Sequence, residues 1–147
     1  MANQRHIRDV MTPNPATVSD TDSIRDVARI MKEQDTGVVP VCDGGKKIIG
    51  LVTDRDIVVR LIADGKDPMN ARVTDVMTKR VRKVQEDATV DDVLTLMSNS
   101  EIRRVPVVNS NDELVGIVSI GDISGEAKEH GRVGAALNDI SDARPNN

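Results

Sequence analysis

The stretch GLVTDRDI (residues 50–57) recurs 66 residues later as GIVSIGDI (residues 116–123). In both copies a short apolar run ends in a hydroxyl residue, and an acid follows three positions later. A short apolar run bounded in this way is typical of a strand, and the hydroxyl–x–x–acid spacing is typical of a capping box that begins a helix. The stretch therefore predicts a strand followed at once by a helix, twice in the chain.

The repetition extends well beyond these eight residues. Aligned without a gap, residues 7–58 and 73–124 share 15 identities in 52 positions, among them the motifs DVMT and VPV. Two copies of this length favour two similar halves that pack together, since a solenoid needs at least about three shorter repeats. The predicted domains are a first repeat at 7–63, a linker at 64–72, a second repeat at 73–126 and a polar tail at 127–147 with a short helix near Gly134–Ile140.

Each half has the same predicted order of elements. Ser23 and Thr89 look like helix N-caps with an acid three residues later, and apolar residues follow at the spacing of a half-buried helix. A strand at 38–42 or 104–108, a polar hairpin turn and a return strand come next. Each half is therefore predicted as β-α-β-β-α, an α+β fold, with the helix stripes Ile24, Val27, Ala28, Met31 and Val90, Val93, Leu94, Met97.

The composition argues against several classes of function. The 147 residues carry a net charge of −4 and include no Phe, Tyr or Trp, which disfavours nucleic acid as a partner because binding normally needs basic patches and stacking rings. Cys42 is the single cysteine, so we expect no intrachain disulfide and a cytoplasmic location. We expect neither a secretion signal nor a membrane partner, because no apolar run is long enough.

No catalytic motif stands out. There is no Walker loop, no nucleophile elbow and no Cys/His pair at usable spacing. His6 and His130 lie far apart without ligand-spaced neighbours, so we predict no metal site. The protein is predicted not to be an enzyme and to require no cofactor.

With VPV, the pattern G-(L/I)-V-(T/S)-x-x-D-I and the DVMT lead-in in each half, the chain resembles the CBS domain pair, or Bateman module, of the small stand-alone type. The resemblance covers residues 7–126. It implies two repeats packed through their sheets with pseudo-twofold symmetry, and clefts in which family members bind AMP, ADP or ATP, and sometimes S-adenosylmethionine or NAD. It also implies a homodimer.

The resemblance further assigns site residues, because each family cleft combines the hydroxyl and acid of one repeat with pre-strand and lead-in residues of the other. Site one would consist of Thr53, Arg55, Asp56, Ile102, Arg103, Arg104, Arg80 and Arg82. Site two would consist of Ser119, Asp122, Thr36, Gly37, Val38, Asn14, Ala16 and Thr17. A phosphate needs compensating charge, and only site one gathers arginines, so a phosphorylated ligand is expected to prefer site one.

Plain structural alternatives stay open for these residues. Thr53 and Asp56 could form only a capping box, and Arg103 and Arg104 could be a solvated strand entry. Three hypotheses of function follow. The first is a sensor that binds adenine nucleotides and acts on a protein effector. The second is a dimeric adaptor with empty clefts, and the third is a nucleic-acid binder.

Overall fold

The computed structural model describes residues 5–124, so the predicted tail, its short helix and His130 lie outside the described residues. The chain forms two compact units. The repeat-1 unit comprises residues 15–81 and 112–114. The repeat-2 unit comprises, among the described residues, 5–14, 82–111 and 115–124.

The elements follow the predicted β-α-β-β-α order in each half, preceded by one extra short strand. None of the described helices is long and apolar enough to span a membrane. Two 3-10 turns, Ile7–Asp9 and Val73–Asp75, begin the two lead-in segments. In chain order the elements are β1 (Thr12–Pro13), β2 (Val18–Ser19), α1 (Ile24–Gln34), β3 (Val38–Cys42), β4 (Ile48–Thr53), α2 (Asp54–Ile57) continued by a π-helical turn (Val58–Ile62), β5 (Val84–Gln85), α3 (Val90–Ser100), β6 (Arg104–Val108), β7 (Leu114–Ser119) and α4 (Ile120–Ser124).

The long helices begin at the predicted caps. The Ser23 hydroxyl accepts a hydrogen bond from the Asp26 backbone N–H at 3.1 Å, and the Asp26 carboxylate accepts one from the Ser23 N–H at 3.4 Å. Thr89 begins α3 by the same reciprocal pair of bonds. Each capping box satisfies two backbone donors that the first helical turn would otherwise leave without a partner.

One helix stripe is as predicted, and the other differs at one position. Val90, Val93, Leu94 and Met97 of α3 are all buried. In α1 the predicted Ala28 is exposed, because the buried stripe is centred between Ile24 and Val27 and Ala28 falls beyond its edge. Ile30, on the other edge, packs against the core instead.

The repeat-1 unit contains a three-stranded sheet in the order β2-β3-β4. Strand β2 runs parallel to β3, β4 runs antiparallel to β3, and every residue of β3 is buried. Two parallel strands that follow each other in the chain need a crossover connection, and α1 is the crossover between β2 and β3. The core of this unit consists of Val18, Ile24, Val27, Val39, Val41, Val52, Leu61, Ala71, Val73 and Val76.

The repeat-2 unit contains a four-stranded sheet in the order β1-β7-β6-β5. Strand β5 is parallel to β6, as β2 is to β3, and β1 adds an antiparallel edge on β7 with Thr12 opposite Ile117. The core of this unit consists of Ile7, Val90, Val93, Leu94, Met97, Val105, Val107, Val118, Ile120 and Ile123.

The first part of each lead-in segment, residues 7–14 and 73–81, belongs to the unit of the other repeat. Ile7, from the first lead-in, is 0% exposed in the repeat-2 core, and its N–H donates to the Ala88 carbonyl at 2.7 Å. Val73, from the second lead-in, lies in the repeat-1 core, and Thr78 exchanges two backbone hydrogen bonds with Leu51. The compact units therefore do not follow the boundaries of the sequence repeat.

The close approach of each lead-in to a return strand explains why that strand carries a Gly. A Cβ atom on Gly50 would lie 2.7 Å from the Met77 sulfur and 3.0 Å from the Thr78 carbonyl oxygen. A Cβ on Gly116 would overlap the side chain of Met11 in the same way. Only glycine lets the lead-in approach the strand this closely.

Candidate functional site

The first candidate site lies in the repeat-1 unit, where β4 passes into α2 beside the start of β3. We define it by residues 36–38 and 53–56. Thr53 is directly opposite Val38 in the antiparallel register. The Asp54 N–H donates to the Gly37 carbonyl at 3.0 Å. Two backbone segments that sequence reasoning assigned to different sites are therefore adjacent in one unit.

Thr53 and Asp56 form the predicted capping box. The Asp56 N–H donates to the Thr53 hydroxyl at 3.0 Å, and the Thr53 N–H donates to Oδ2 of Asp56 at 2.9 Å. The cap occupies one oxygen of Asp56 and leaves Oδ1 for another partner. Only 15% of this side chain is exposed, so the carboxylate is held in one orientation at the edge of solvent.

Arg55 is the exposed cation of the first candidate site. Its guanidinium makes no hydrogen bond or ion pair with any residue in the described range. Asp54 is also exposed, but its carboxylate makes two contacts within the site. Its Oδ1 accepts from the Arg55 N–H at 2.8 Å, and its carboxylate packs on Gly37, where an added Cβ would come within 3.1 Å of Oδ2.

Thr36 uses its hydroxyl within its own turn. The hydroxyl donates to the Val38 carbonyl at 3.1 Å and accepts from the Val38 N–H at 3.3 Å. The side chain thus stabilises the bend that leads into β3.

The second candidate site lies in the repeat-2 unit and is defined by residues 102–104, Ser119 and Asp122. The Ser119 N–H donates to Oδ2 of Asp122 at 2.9 Å, and the Asp122 N–H donates to the Ser119 hydroxyl at 3.1 Å. No described residue forms a hydrogen bond with the other carboxylate oxygen of Asp122. This arrangement repeats that of Thr53 and Asp56.

The backbone of Arg103, which the family pattern assigns to site one, lies beside Ser119. The Ile120 N–H donates to the Arg103 carbonyl at 2.9 Å, because β6 and β7 are neighbouring strands and the start of β6 meets the end of β7. Arg104 is exposed, and its guanidinium has no partner within residues 5–124. The preference of a phosphorylated ligand for site one stays a prediction.

The lead-in residues are divided between the two units. Arg80, Ala16 and Thr17 belong to the repeat-1 unit, whereas Arg82 and Asn14 belong to the repeat-2 unit. All five are exposed. Asn14 has a left-handed backbone (φ 50°), and its N–H donates to the Val115 carbonyl at 3.1 Å. Their membership of the two sites stays a prediction, as does every predicted grouping that combines the units.

Comparison with known proteins identifies the family. Residues 7–63 and 73–129 each match the family model described as the CBS domain. The chain belongs to the CBS domain family. A curated relative, the protein YlbB of Bacillus subtilis (strain 168), is 42% identical over 137 residues, which cover 92% of this chain and 91% of that protein.

Solved CBS domain structures share both the fold and recognisable sequence. The CBS domain pair of protein MJ0100, in complex with 5′-methylthioadenosine and S-adenosyl-L-methionine, aligns with a TM-score of 0.73 and 31% identity over 82% of this chain and 94% of that one. CBSX2 in complex with AMP aligns with a TM-score of 0.73 and 26% identity over 86% of this chain and 98% of that one. The resemblance inferred from the sequence is confirmed.

Arg60 is a CBS-repeat residue that sequence reasoning missed. Its Nε lies 3.8 Å from Oδ1 of Asp56, the oxygen that the capping box leaves unused. Its Nη1 donates to the Val76 carbonyl at 3.3 Å. The i,i+4 spacing of Asp56 and Arg60 was the available signal, since such pairs face each other on a helix.

Cys42 occupies the end of a core strand in the first CBS repeat. Burial, and then the nearby charge of Asp43, raise the pKa of this thiol above its usual value. A raised pKa leaves little thiolate at neutral pH, so Cys42 behaves as a small buried hydrophobic residue. Residues 5–124 contain no group of three or more His, Cys, Asp or Glu side chains that could hold a metal ion.

Proposed function

We propose that this CBS domain protein is a regulatory module that binds adenosine nucleotides of the AMP, ADP or ATP type at its two candidate sites. One observation carries the proposal. Both sites present the same hydroxyl–acid capping box, in which the acid keeps one oxygen outside the cap. The AMP complex of CBSX2 and the complex of MJ0100 with two adenosine compounds support this choice of ligand class.

The chemistry of the sites suits a ribose phosphate. An ionised carboxylate can accept hydrogen bonds from ribose hydroxyls, as an acid does in dinucleotide-binding folds. A guanidinium binds a phosphate through two parallel hydrogen bonds, and Arg55 and Arg104 each bring an exposed one. With no aromatic side chain in the protein, we propose that the adenine lies against aliphatic side chains and strand backbone.

Binding, rather than catalysis, is the proposed activity. A ligand that binds one arrangement of the protein more tightly than another shifts the population toward it by its differential affinity. A protein effector that contacts only the favoured arrangement would then report the level of the nucleotide. No cofactor is required for this role.

Ligand-dependent stability tests the proposal. We expect AMP, ADP or ATP at about 100 times its Kd to raise the free energy of unfolding by about 2.7 kcal/mol for each occupied site, since the ligand binds only the folded chain. Unfolding is followed by circular dichroism, because the protein has no Trp or Tyr to report it. S-adenosylmethionine and NAD are measured in parallel. If none of the five ligands raises stability, the proposed function is wrong.

We also propose that the chain forms a homodimer through an apolar surface of the repeat-1 unit. Val58, Val59, Ile62 and Met69 are 54%, 45%, 54% and 59% exposed and lie close together in sequence. At the positions 66 residues later, which correspond to the first three, the chain has Ser124, Gly125 and Lys128. An exposed apolar surface of this kind can be buried against its copy about a twofold axis.

The dimer is tested by mass in solution without ligand. We expect Ile62→Glu to convert a dimer into a monomer in light scattering, because a charge cannot be buried unpaired in an apolar contact. Lys66→Glu changes an exposed residue of the same segment and serves as the control. A wild-type chain that is already monomeric, or an Ile62→Glu chain that stays dimeric, contradicts this proposal.

A further inference from the structure

Arg60 joins the acid of the first candidate site to a segment distant in sequence. One end of the guanidinium faces Oδ1 of Asp56 at 3.8 Å, and the other donates to the Val76 carbonyl at 3.3 Å, 16 residues further along the chain. Val76 is 1% exposed and packs in the repeat-1 core. The arginine is therefore fixed at one end to a rigid part of the unit.

Arg60 differs from an ordinary surface ion pair. Arg29 faces Asp26, also a capping-box acid, at 3.4 Å, but no other bond of the Arg29 side chain to residues 5–124 accompanies it. The Asp26 side chain is 40% exposed, whereas that of Asp56 is 15% exposed. The Arg60 side chain is 51% exposed, about as much as that of Arg29 at 58%, so the two pairs differ in the burial of the acid and in the second bond of Arg60. A cation that is already held by a second bond loses less freedom when it pairs.

The second repeat has no arginine at the corresponding position. Counting 66 residues from Arg60 leads to Glu126, so the sequence places an acid four residues after Asp122. The two capping boxes are alike, but only Asp56 has a cation four residues later in the chain. The two repeats therefore differ in the residue four positions after the acid, and not in the capping box.

We propose that Arg60 is a positioning residue of the first candidate site, which holds Oδ1 of Asp56 in the orientation that accepts ribose hydroxyls. The inference rests on the proposed function. Oδ2 is fixed by the Thr53 N–H, so Oδ1 is the atom left for the ligand, and Arg60 is the described side chain that contacts it. Arg60 acts through Asp56, and the phosphate contact belongs to other arginines.

The experiment measures two ratios by calorimetry in the full chain carrying Asp122→Asn, so that the second acid does not contribute. The ribose ratio is the Kd of 2′-deoxy-AMP divided by that of AMP, and the phosphate ratio is the Kd of adenosine divided by that of AMP. With Arg60 present we expect a ribose ratio of about 10, the value for one hydrogen bond to a charged group. Arg60→Gln should lower the ribose ratio to about 2 and leave the phosphate ratio unchanged.

Two further variants separate positioning from charge and from general stability. Arg60→Lys keeps the charge but cannot reach Asp56 and Val76 with one planar fork, so we expect an intermediate ribose ratio. Arg29→Gln removes the matched arginine from Asp26 and should change neither ratio. Circular dichroism confirms that each variant is folded.

The outcomes distinguish this inference from the proposed function. A ribose ratio that stays at its starting value in Arg60→Gln overturns the role of Arg60 while binding itself stands. A fall in the phosphate ratio alone also overturns it, since Arg60 would then contact the phosphate directly. If neither the wild-type chain nor the Asp122→Asn chain binds AMP, adenosine or 2′-deoxy-AMP, both the inference and the proposed function are wrong.

Discussion

We expect Asp56→Asn to weaken AMP binding at the first candidate site by about 10- to 150-fold, and Asp122→Asn to do the same at the second, because each hydrogen bond to a charged group contributes about 1.5–3 kcal/mol. Asparagine has nearly the shape of aspartate and keeps one carbonyl oxygen, so the bond from the Thr53 N–H can persist. The substitution therefore removes the negative charge that would accept hydrogen bonds from the ribose hydroxyls, while most of the capping interaction is kept.

The measurement compares calorimetric titrations of the wild type, the two single variants and the double variant. Each single variant should weaken one of two binding events by this factor, and the double variant should weaken both. Asp26→Asn is the matched control, since Asp26 has the same two capping bonds at the start of α1. Should Asp56→Asn and Asp122→Asn bind AMP as the wild type does, neither acid contacts the ligand, and the candidate sites are wrong even though the fold stands.

The local elements of the fold could be predicted well because each depends on neighbouring residues. Strands β3 and β6 have the predicted bounds, and both long helices begin at the predicted caps. A capping box and an apolar stripe are set by spacings of three and four residues, which a sequence displays directly. Even there, the edge of a stripe is uncertain, as the exposed Ala28 shows.

The long-range arrangement could not be predicted in the same way. Nothing in the periodicity of residues 7–11 tells which core Ile7 joins, and it joins the core of the repeat-2 unit. The same limit affected the site. The hydroxyl–acid pairs were visible as motifs, but the family pattern separated Arg103 from Ser119, and the pairing of β6 with β7 brings their backbones together. Arg60 was missed because its second contact, to Val76, is also long-range.

The exchange of lead-in segments leads to the largest expected effect on stability. We expect Ile7→Ala to lower the free energy of unfolding by about 2–5 kcal/mol, the usual loss when a buried Ile is truncated and leaves a cavity. Ile7 is 0% exposed, although it lies close to the start of the described residues. Side chains near the end of a domain are ordinarily poorly ordered, so shortening one would change the free energy of unfolding little. The graded change Ile7→Val should cost only about 0.5–1.5 kcal/mol.

Urea unfolding followed by circular dichroism measures these losses, and Arg8→Ala is the control. Arg8 lies in the same 3-10 turn, is exposed, and donates through its backbone N–H to the Glu86 carbonyl, a bond that alanine keeps. Removal of the Arg8 side chain should change the free energy of unfolding by less than about 0.5 kcal/mol. If Ile7→Ala costs no more than Arg8→Ala, the first lead-in does not contribute to the repeat-2 core. A large loss for Ile7→Ala alone means that residues outside the second sequence repeat are needed to complete its core.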